Sequence, residues 1–241
     1  MASLLNRAPL LKDYAMKSFC ILSATFVISL CSCSQNSAVP KVSNKPAPNE
    51  IKVGGRCEGC EAIYESPVAF NQLKEADTLP DFNEAGPTIE ISGVIYHRDG
   101  KTPAKDVVLY VYHTDQKGNY STKGKDPSFR QDGWGKRHGY IRGWVKTDAT
   151  GFYKFYTLVP ASYPNSNNPK HIHPTIKEPG KSEYWIDDFV FDDDPLLPEE
   201  ERKRTQPVGG SGVLKTEMKD GILKATRNII LGLNVAGYPA E

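Results

Sequence analysis

An all-β sandwich with few short helices is the fold class this sequence predicts. Two observations carry it. Short apolar runs recur from about Thr88 onward with turn signals between them, and helical periodicity is sparse. "TIEISGVIY" alternates Ile89 and Ile91 and runs to a turn at Asp99-Gly100. "DVVLYVYH" is a continuous run of β-branched and aromatic residues, as in a strand buried on both sides. "YIRGWVKT" and "FYKFYTLV" flank Asp148-Ala149-Thr150-Gly151, which reads as a hairpin turn. "HIHPTIK", "YWIDDFVF", "GVLKTEM" and "GILKATRNIIL" continue the series, the last two joined as a hairpin at Asp220-Gly221. Short helices are expected only near Glu65 to Asp77 and Pro198 to Arg204.

The chain has 30 Lys plus Arg against 29 Asp plus Glu, and no basic stripe, so nucleic acid is not an expected partner. The N-terminus reads as an export signal. Lys17 precedes an apolar run from about Phe19 to Leu30, shorter than the roughly 20 residues a membrane-spanning helix requires. Leu30-Cys31-Ser32-Cys33 resembles a bacterial lipobox, with Cys33 the expected lipidated residue and Cys31 the alternative. Residues 1–33 form the expected signal, and Met16 is a second candidate start; an ordinary secretory signal is the rival reading. Residues 34–50 are polar and Pro-containing and read as a disordered tether, able to span up to ~55 Å at full extension. The folded domain is then 51–241. This layout places the protein outside the cytoplasm, held on a bacterial membrane by its lipid alone.

Only Cys57 and Cys60 remain for the domain. Without a second C-x-x-C or a βαβ context, a small disulfide is the favoured reading over zinc or redox roles.

"NPKHIHPTIKEPG" holds two of the five histidines. On a strand, His171 and His173 project to one face and Ile172 to the other, which makes H-x-H a natural two-toothed metal clamp. Tyr163 lies eight positions ahead of His171, in a loop restrained by Pro164 and Pro169, and Tyr120 sits in the polar loop "HTDQKGNYS".

In their order, "HTDQKGNYS", "RGWVKTDATGFYKFYTLVPASYPN", "PKHIH" and "FVFDDDP" resemble the intradiol ring-cleavage dioxygenases, the family of catechol 1,2-dioxygenase and protocatechuate 3,4-dioxygenase. The likeness covers about Glu90 to Asp194. It implies an Fe(III) ion held by Tyr120, Tyr163, His171 and His173. It also implies cleavage of a catechol-type substrate by O2 to a muconate-type diacid, with Tyr120 released to take a substrate proton. The ligand types suit the ion: ferric iron is hard, and two phenolates stabilise it. The resemblance places Asn168 where the family commonly has an Arg, and Asp188 where it has a Gln. Arg142 is the candidate replacement for that positive charge, and Asp188 is expected to alter the oxygen-binding pocket and to orient a ligand His or a substrate hydroxyl. Lys170 should face away from the clamp.

His97, His113 and His138 are expected at turns or the surface, and Tyr140, Tyr153, Tyr156 and Tyr184 in sandwich packing. "DDDP", residues 192–195, reads as a solvated loop and "EEERKR" as an exposed helix end. A non-catalytic β-sandwich binding module is the rival function, and zinc or copper on H-x-H a third.

Overall fold

A computed structural model describes residues 44–122 and 135–240. The chain divides into two units, Met1–Val39 and Pro40–Glu241, and the described residues lie in the second. Cys33 and the first part of the expected tether fall outside the described residues.

The strands in chain order are β1 (Ala76–Thr78), β2 (Thr88–Tyr96), β3 (Val108–His113), β4 (Arg142–Lys146), β5 (Phe152–Leu158) and β6 (His171–Lys177). They continue with β7 (Tyr184–Trp185), β8 (Phe189–Phe191), β9 (Val213–Leu214), β10 (Glu217–Lys219), β11 (Ile222–Thr226) and β12 (Ile229–Ile230). Two sheets result. One runs β1-β5-β2-β11-β10 with β12 also paired to β2; the other runs β4-β3-β6-β8-β9 with β7 paired to β6. The only α-helical turns among the described residues are α1 (Gly135–His138) and α2 (Glu199–Arg202).

The core lies between the sheets. Strict alternation in β2 sends Ile89, Ile91 and Ile95 inward, where they meet Leu109, Val111, Ile172, Phe155 and Phe189 from the neighbouring strands. Each such side chain contributes roughly 1.5–3 kcal/mol on full burial.

The second sheet is buried on its outer face as well, which is why β3 shows no polar–apolar alternation. Val108, Tyr110 and Trp144 point outward there and pack against Ala62 and Ile63 from the 3-10 segment Cys60–Glu65. The indole of Trp144 donates to the Ile63 carbonyl at 2.8 Å.

Four sequence expectations require correction. Residues 65–77 form no α-helix; they hold a 3-10 turn at Phe70–Gln72 and then β1, whose parallel pairing with β5 is a tertiary contact. The turn at 148–151 is not a hairpin, because β4 pairs with β3 while β5 pairs with β2, so the chain crosses between sheets there. His113 and His138 are buried rather than at the surface. Within "DDDP", Asp194 is buried and its carboxylate accepts the Lys170 backbone N–H at 2.7 Å. The hairpin at Asp220-Gly221 is present, with both residues at positive φ (55° and 80°), as a two-residue turn between right-twisted strands requires.

Candidate metal centre

Register places the site on the outer face of the second sheet. Residues paired across a ladder share a face. His173 is opposite Tyr112 on β3, His171 is opposite Val190 on β8, and Thr175 is opposite Trp185 on β7. His171, His173, Tyr112 and Trp185 therefore project together, while Ile172 is fully buried between the sheets.

The two tyrosines arrive on loops that are stitched to each other. The Thr114 hydroxyl donates to the Ala161 carbonyl at 2.6 Å, and the Gln116 amide donates to the Val159 carbonyl at 2.7 Å. Gly118 permits the closest approach: it has φ +76°, and a Cβ on it would lie 2.1 Å from the Ser162 carbonyl oxygen. The carboxylate of Asp115 accepts the Lys117 and Asn119 backbone N–H groups at 2.8 and 3.0 Å and fixes the turn that presents Tyr120.

Four donor atoms converge as a result. The Tyr120 hydroxyl contacts the Tyr163 hydroxyl and lies 2.8 Å from His173 Nε2. The Tyr163 hydroxyl is 3.1 Å from His173 Nε2 and 3.0 Å from His171 Nε2, and the two Nε2 atoms are 3.1 Å apart.

The tautomers are set by the far side of each ring. His171 Nδ1 donates to the Pro169 carbonyl at 2.7 Å, and His173 Nδ1 donates to Asp188 Oδ1 at 3.0 Å. Each ring thus turns its Nε2 to the centre of the cluster, where it can accept from a tyrosine hydroxyl, Tyr163 for His171 at 3.0 Å and Tyr120 for His173 at 2.8 Å. The same four atoms converge closely enough to share one cation in place of those hydroxyl protons. The donor set fits a metal ion, and with two phenol oxygens it fits a hard one. His171, His173 and Asp188 also form a cluster whose candidate ligand atoms lie within 4.8 Å of one another. The carboxylate sits on the Nδ1 side of His173, where it orients the ring.

Burial, aided by the neighbouring His173, lowers the pKa of His171 and keeps it neutral. Burial pushes the Tyr120 and Tyr163 hydroxyls above the usual phenol range. Burial alone would raise the Asp188 carboxyl, but its hydrogen bond and charge interaction with His173 bring it below the usual carboxylate range.

Arg142 stands opposite Tyr112, on the same face of the sheet as the cluster, but its charge is taken up by Glu65. Its guanidinium is buried in an ion pair with Glu65 at 2.7 Å and lies over the Trp144 ring. Asn168 is exposed on the rim. Lys170 turns away, as its strand position requires, and pairs with Asp193 at 3.0 Å. Cys57 and Cys60 are joined as a disulfide.

Tyr112 escaped the sequence reading. Its ring stacks on His173 at a centroid distance of 4.7 Å and on His138 at 3.7 Å. Only the β3–β6 register reveals that it stands opposite a ligand. A cleft of about 460 Å3 opens onto Tyr163, His171 and His173, and Trp185 and Asp188 line it too. Beyond Trp185 a second cleft of about 390 Å3 reaches His173 alone of the four. A larger groove of about 690 Å3 beside α2 meets none of them.

A two-sheet sandwich with a Tyr2His2 cluster on the outer face of one sheet defines a class of β-protein with a candidate metal site. The comparisons with known proteins narrow it. The family model described as Dioxygenase (Dioxygenase_C) matches residues 58–220, and the chain belongs to that family, of which intradiol dioxygenases are members. It is 28% identical over 162 residues to catechol 1,2-dioxygenase 2 of Acinetobacter lwoffii, covering 56% of this chain and 54% of that protein. It is 30% identical over 141 residues to catechol 1,2-dioxygenase 1 of the same organism, covering 52% and 42%. The chain thus spans about half the length of these curated relatives. Among solved structures, the dioxygenase domain of a dioxygenase carbohydrate-binding protein fusion from Streptomyces sp. SirexAA-E superposes with TM-score 0.48 at 19% identity, covering 66% of this chain and 89% of that one. Catechol 1,2-dioxygenase from Acinetobacter sp. ADP1 does so with TM-score 0.46 at 18% identity, covering 69% and 60%.

Proposed function

We propose that this protein is an Fe(III)-dependent intradiol dioxygenase that opens a catechol-type ring with O2 to a muconate-type diacid. The observation that carries the reading is the convergence of Tyr120, Tyr163, His171 and His173, with both Nε2 lone pairs aimed at one point. A ferric ion held by these four side chains would supply a Lewis acid that stabilises negative charge on the catechol oxygens. Tyr163 and the two histidines keep their places on stitched loop and strand. Tyr120, on its loop, would be the ligand to give way to substrate and take a catechol proton at its phenolate oxygen. Asp188 holds the His173 ring by its Nδ1–H. Tyr112 backs the same ring, so His173 cannot rotate out of the set. The substrate enters through the cleft on Tyr163, His171 and His173.

Membrane attachment is part of the proposal and rests on the sequence alone: a lipid on Cys33 and a tether that places the domain on the outer side of a bacterial membrane. No described helix is long and apolar enough to cross a membrane. A non-catalytic binding module is the second reading, favoured by Asn168 standing where the family resemblance places an Arg.

The test is optical. Iron-loaded protein should show a tyrosinate-to-Fe(III) charge-transfer colour, consume O2 with catechol, and lose most of the colour in Tyr163→Phe. Protein that stays colourless with iron sinks the iron assignment. Colour without O2 uptake on catechol, protocatechuate or hydroxyquinol favours a substrate outside that set or the binding module.

A further inference from the structure

We infer that the substrate cleft selects catechols carrying a cationic amine and rejects those carrying a carboxylate. The inference rests on the proposed site and names its substrate class.

The cleft that reaches three of the four ligand side chains has an acidic wall. Asp187, Asp188 and Glu201 line it, against one cation, Arg204. That guanidinium is already engaged. Its Nη1 is 3.3 Å from Asp187 Oδ1, and its Nη2 contacts Glu201. Asp188 is turned to His173. Behind the wall the buried Arg227 donates to the Asp187 carbonyl at 2.7 Å and offsets a second carboxylate, so three acids against two guanidiniums still leave one excess negative charge. Asn168, on the same rim, is neutral, and the Lys170 amine is held at Asp193. A substrate carboxylate entering here meets like charge without a partner.

An independent feature points to the favoured class. Trp185 is one of few exposed large apolar side chains, 42% accessible, and it lines this cleft. Its place opposite Thr175 puts it on the ligand face, two residues along the strand from His173. An exposed indole face beside carboxylates recognises an organic ammonium: the ring attracts the cation through its quadrupole, and the acids supply the charge. The catechol ring would point its two oxygens at the Tyr2His2 cluster and its side chain out along the wall of Trp185 and Glu201. Arg56 lines the second cleft, which shares Trp185 and Asp188 with this one, but Glu58 lines it too, so that side adds no net positive charge.

The probes are 3,4-dihydroxyphenethylamine, catechol and 3,4-dihydroxybenzoate. Their affinities are measured by titration calorimetry on both iron-loaded and metal-free protein. The amine should bind about tenfold or more tighter than the carboxylate in both forms, and the gap should shrink with added salt. Glu201→Gln and Trp185→Leu should each reduce the amine-to-carboxylate ratio by about threefold or more. Equal or tighter binding of the carboxylate, no binding of the amine, or a ratio unmoved by both substitutions overturns the inference. The charge-transfer colour is recorded on the same samples. Colour with the wrong preference overturns only the substrate class. Absent colour with the amine preference intact overturns the iron assignment and leaves the cleft's selectivity standing.

Discussion

His171 and His173 turn their Nε2 atoms toward each other at 3.1 Å, and each ring commits its only proton to a partner on the opposite side. Without an ion, these two Nε2 atoms have only the Tyr120 and Tyr163 hydroxyls as donors. A cation bonded to all four atoms would bind the folded cluster and not the unfolded chain, so ferric iron should stabilise the folded protein. At free iron about 100-fold above its dissociation constant, the gain is roughly 2.7 kcal/mol. Thermal unfolding with and without iron measures it. His171→Ala should abolish the shift; a shift that survives places the ion elsewhere.

Asp188 should tune affinity without being a ligand. Outer partners of this kind are typically worth about 10–100-fold in metal affinity. Asp188→Ala should weaken iron binding by that order. Asp188→Asn, whose amide oxygen still accepts from His173 Nδ1, should lose less. Equal losses in the two variants would indicate direct ligation.

Gly118→Ala tests the stitching of the tyrosine loops. The position has φ +76°, and the added methyl would meet the Ser162 carbonyl at 2.1 Å. The loops must part, at a cost of about 1–3 kcal/mol. The denaturation midpoint should fall, and the charge-transfer band should shift or weaken as Tyr120 moves from Tyr163. An unchanged midpoint and band would show that the turn has room to adjust.

A buried chain runs from His113 Nε2 to the Thr157 hydroxyl, 2.6 Å, and from that hydroxyl to Asp81 Oδ1, 2.9 Å. Burial raises the Asp81 carboxyl to about 6 and lowers His113 to about 4 and His138 to about 3. The signs differ. A raised carboxyl gives stability that is full below about pH 4 and lost as pH rises through 6. A depressed histidine gives stability that is full above about pH 6.5 and lost as pH falls. Between pH 4 and 6, Asp81 and His113 therefore oppose each other, and the other depressed histidines, His138 and His171, tilt the balance toward acid lability. Asp81→Asn removes the opposing contribution, so its stability should fall more steeply from pH 6.5 to 4.5 than that of the parent. Parallel curves from urea unfolding at the two pH values would refute the coupling.

The amino-acid pattern determined the fold class and the projection of His171 and His173 to one face, because these depend on local rules. Alternation in β2, the run in β3 and the period-2 projection of His171 and His173 need no distant partner. A family-like order of Tyr120, Tyr163 and H-x-H supplied the rest of the proposed ligand set. What depended on pairing between distant segments was hidden. The turn at 148–151 gave no sign that its flanking strands belong to different sheets. Arg142 looked available, yet the packing of Cys60–Glu65 on the outer face of the second sheet delivers Glu65 to it and buries the charge. Tyr112 and Trp185 became site residues only through register, since a strand's face is readable from sequence but its partner across the ladder is not. Tertiary structure alone decided which protonation state each histidine shows the other, because that depends on what stands behind each ring.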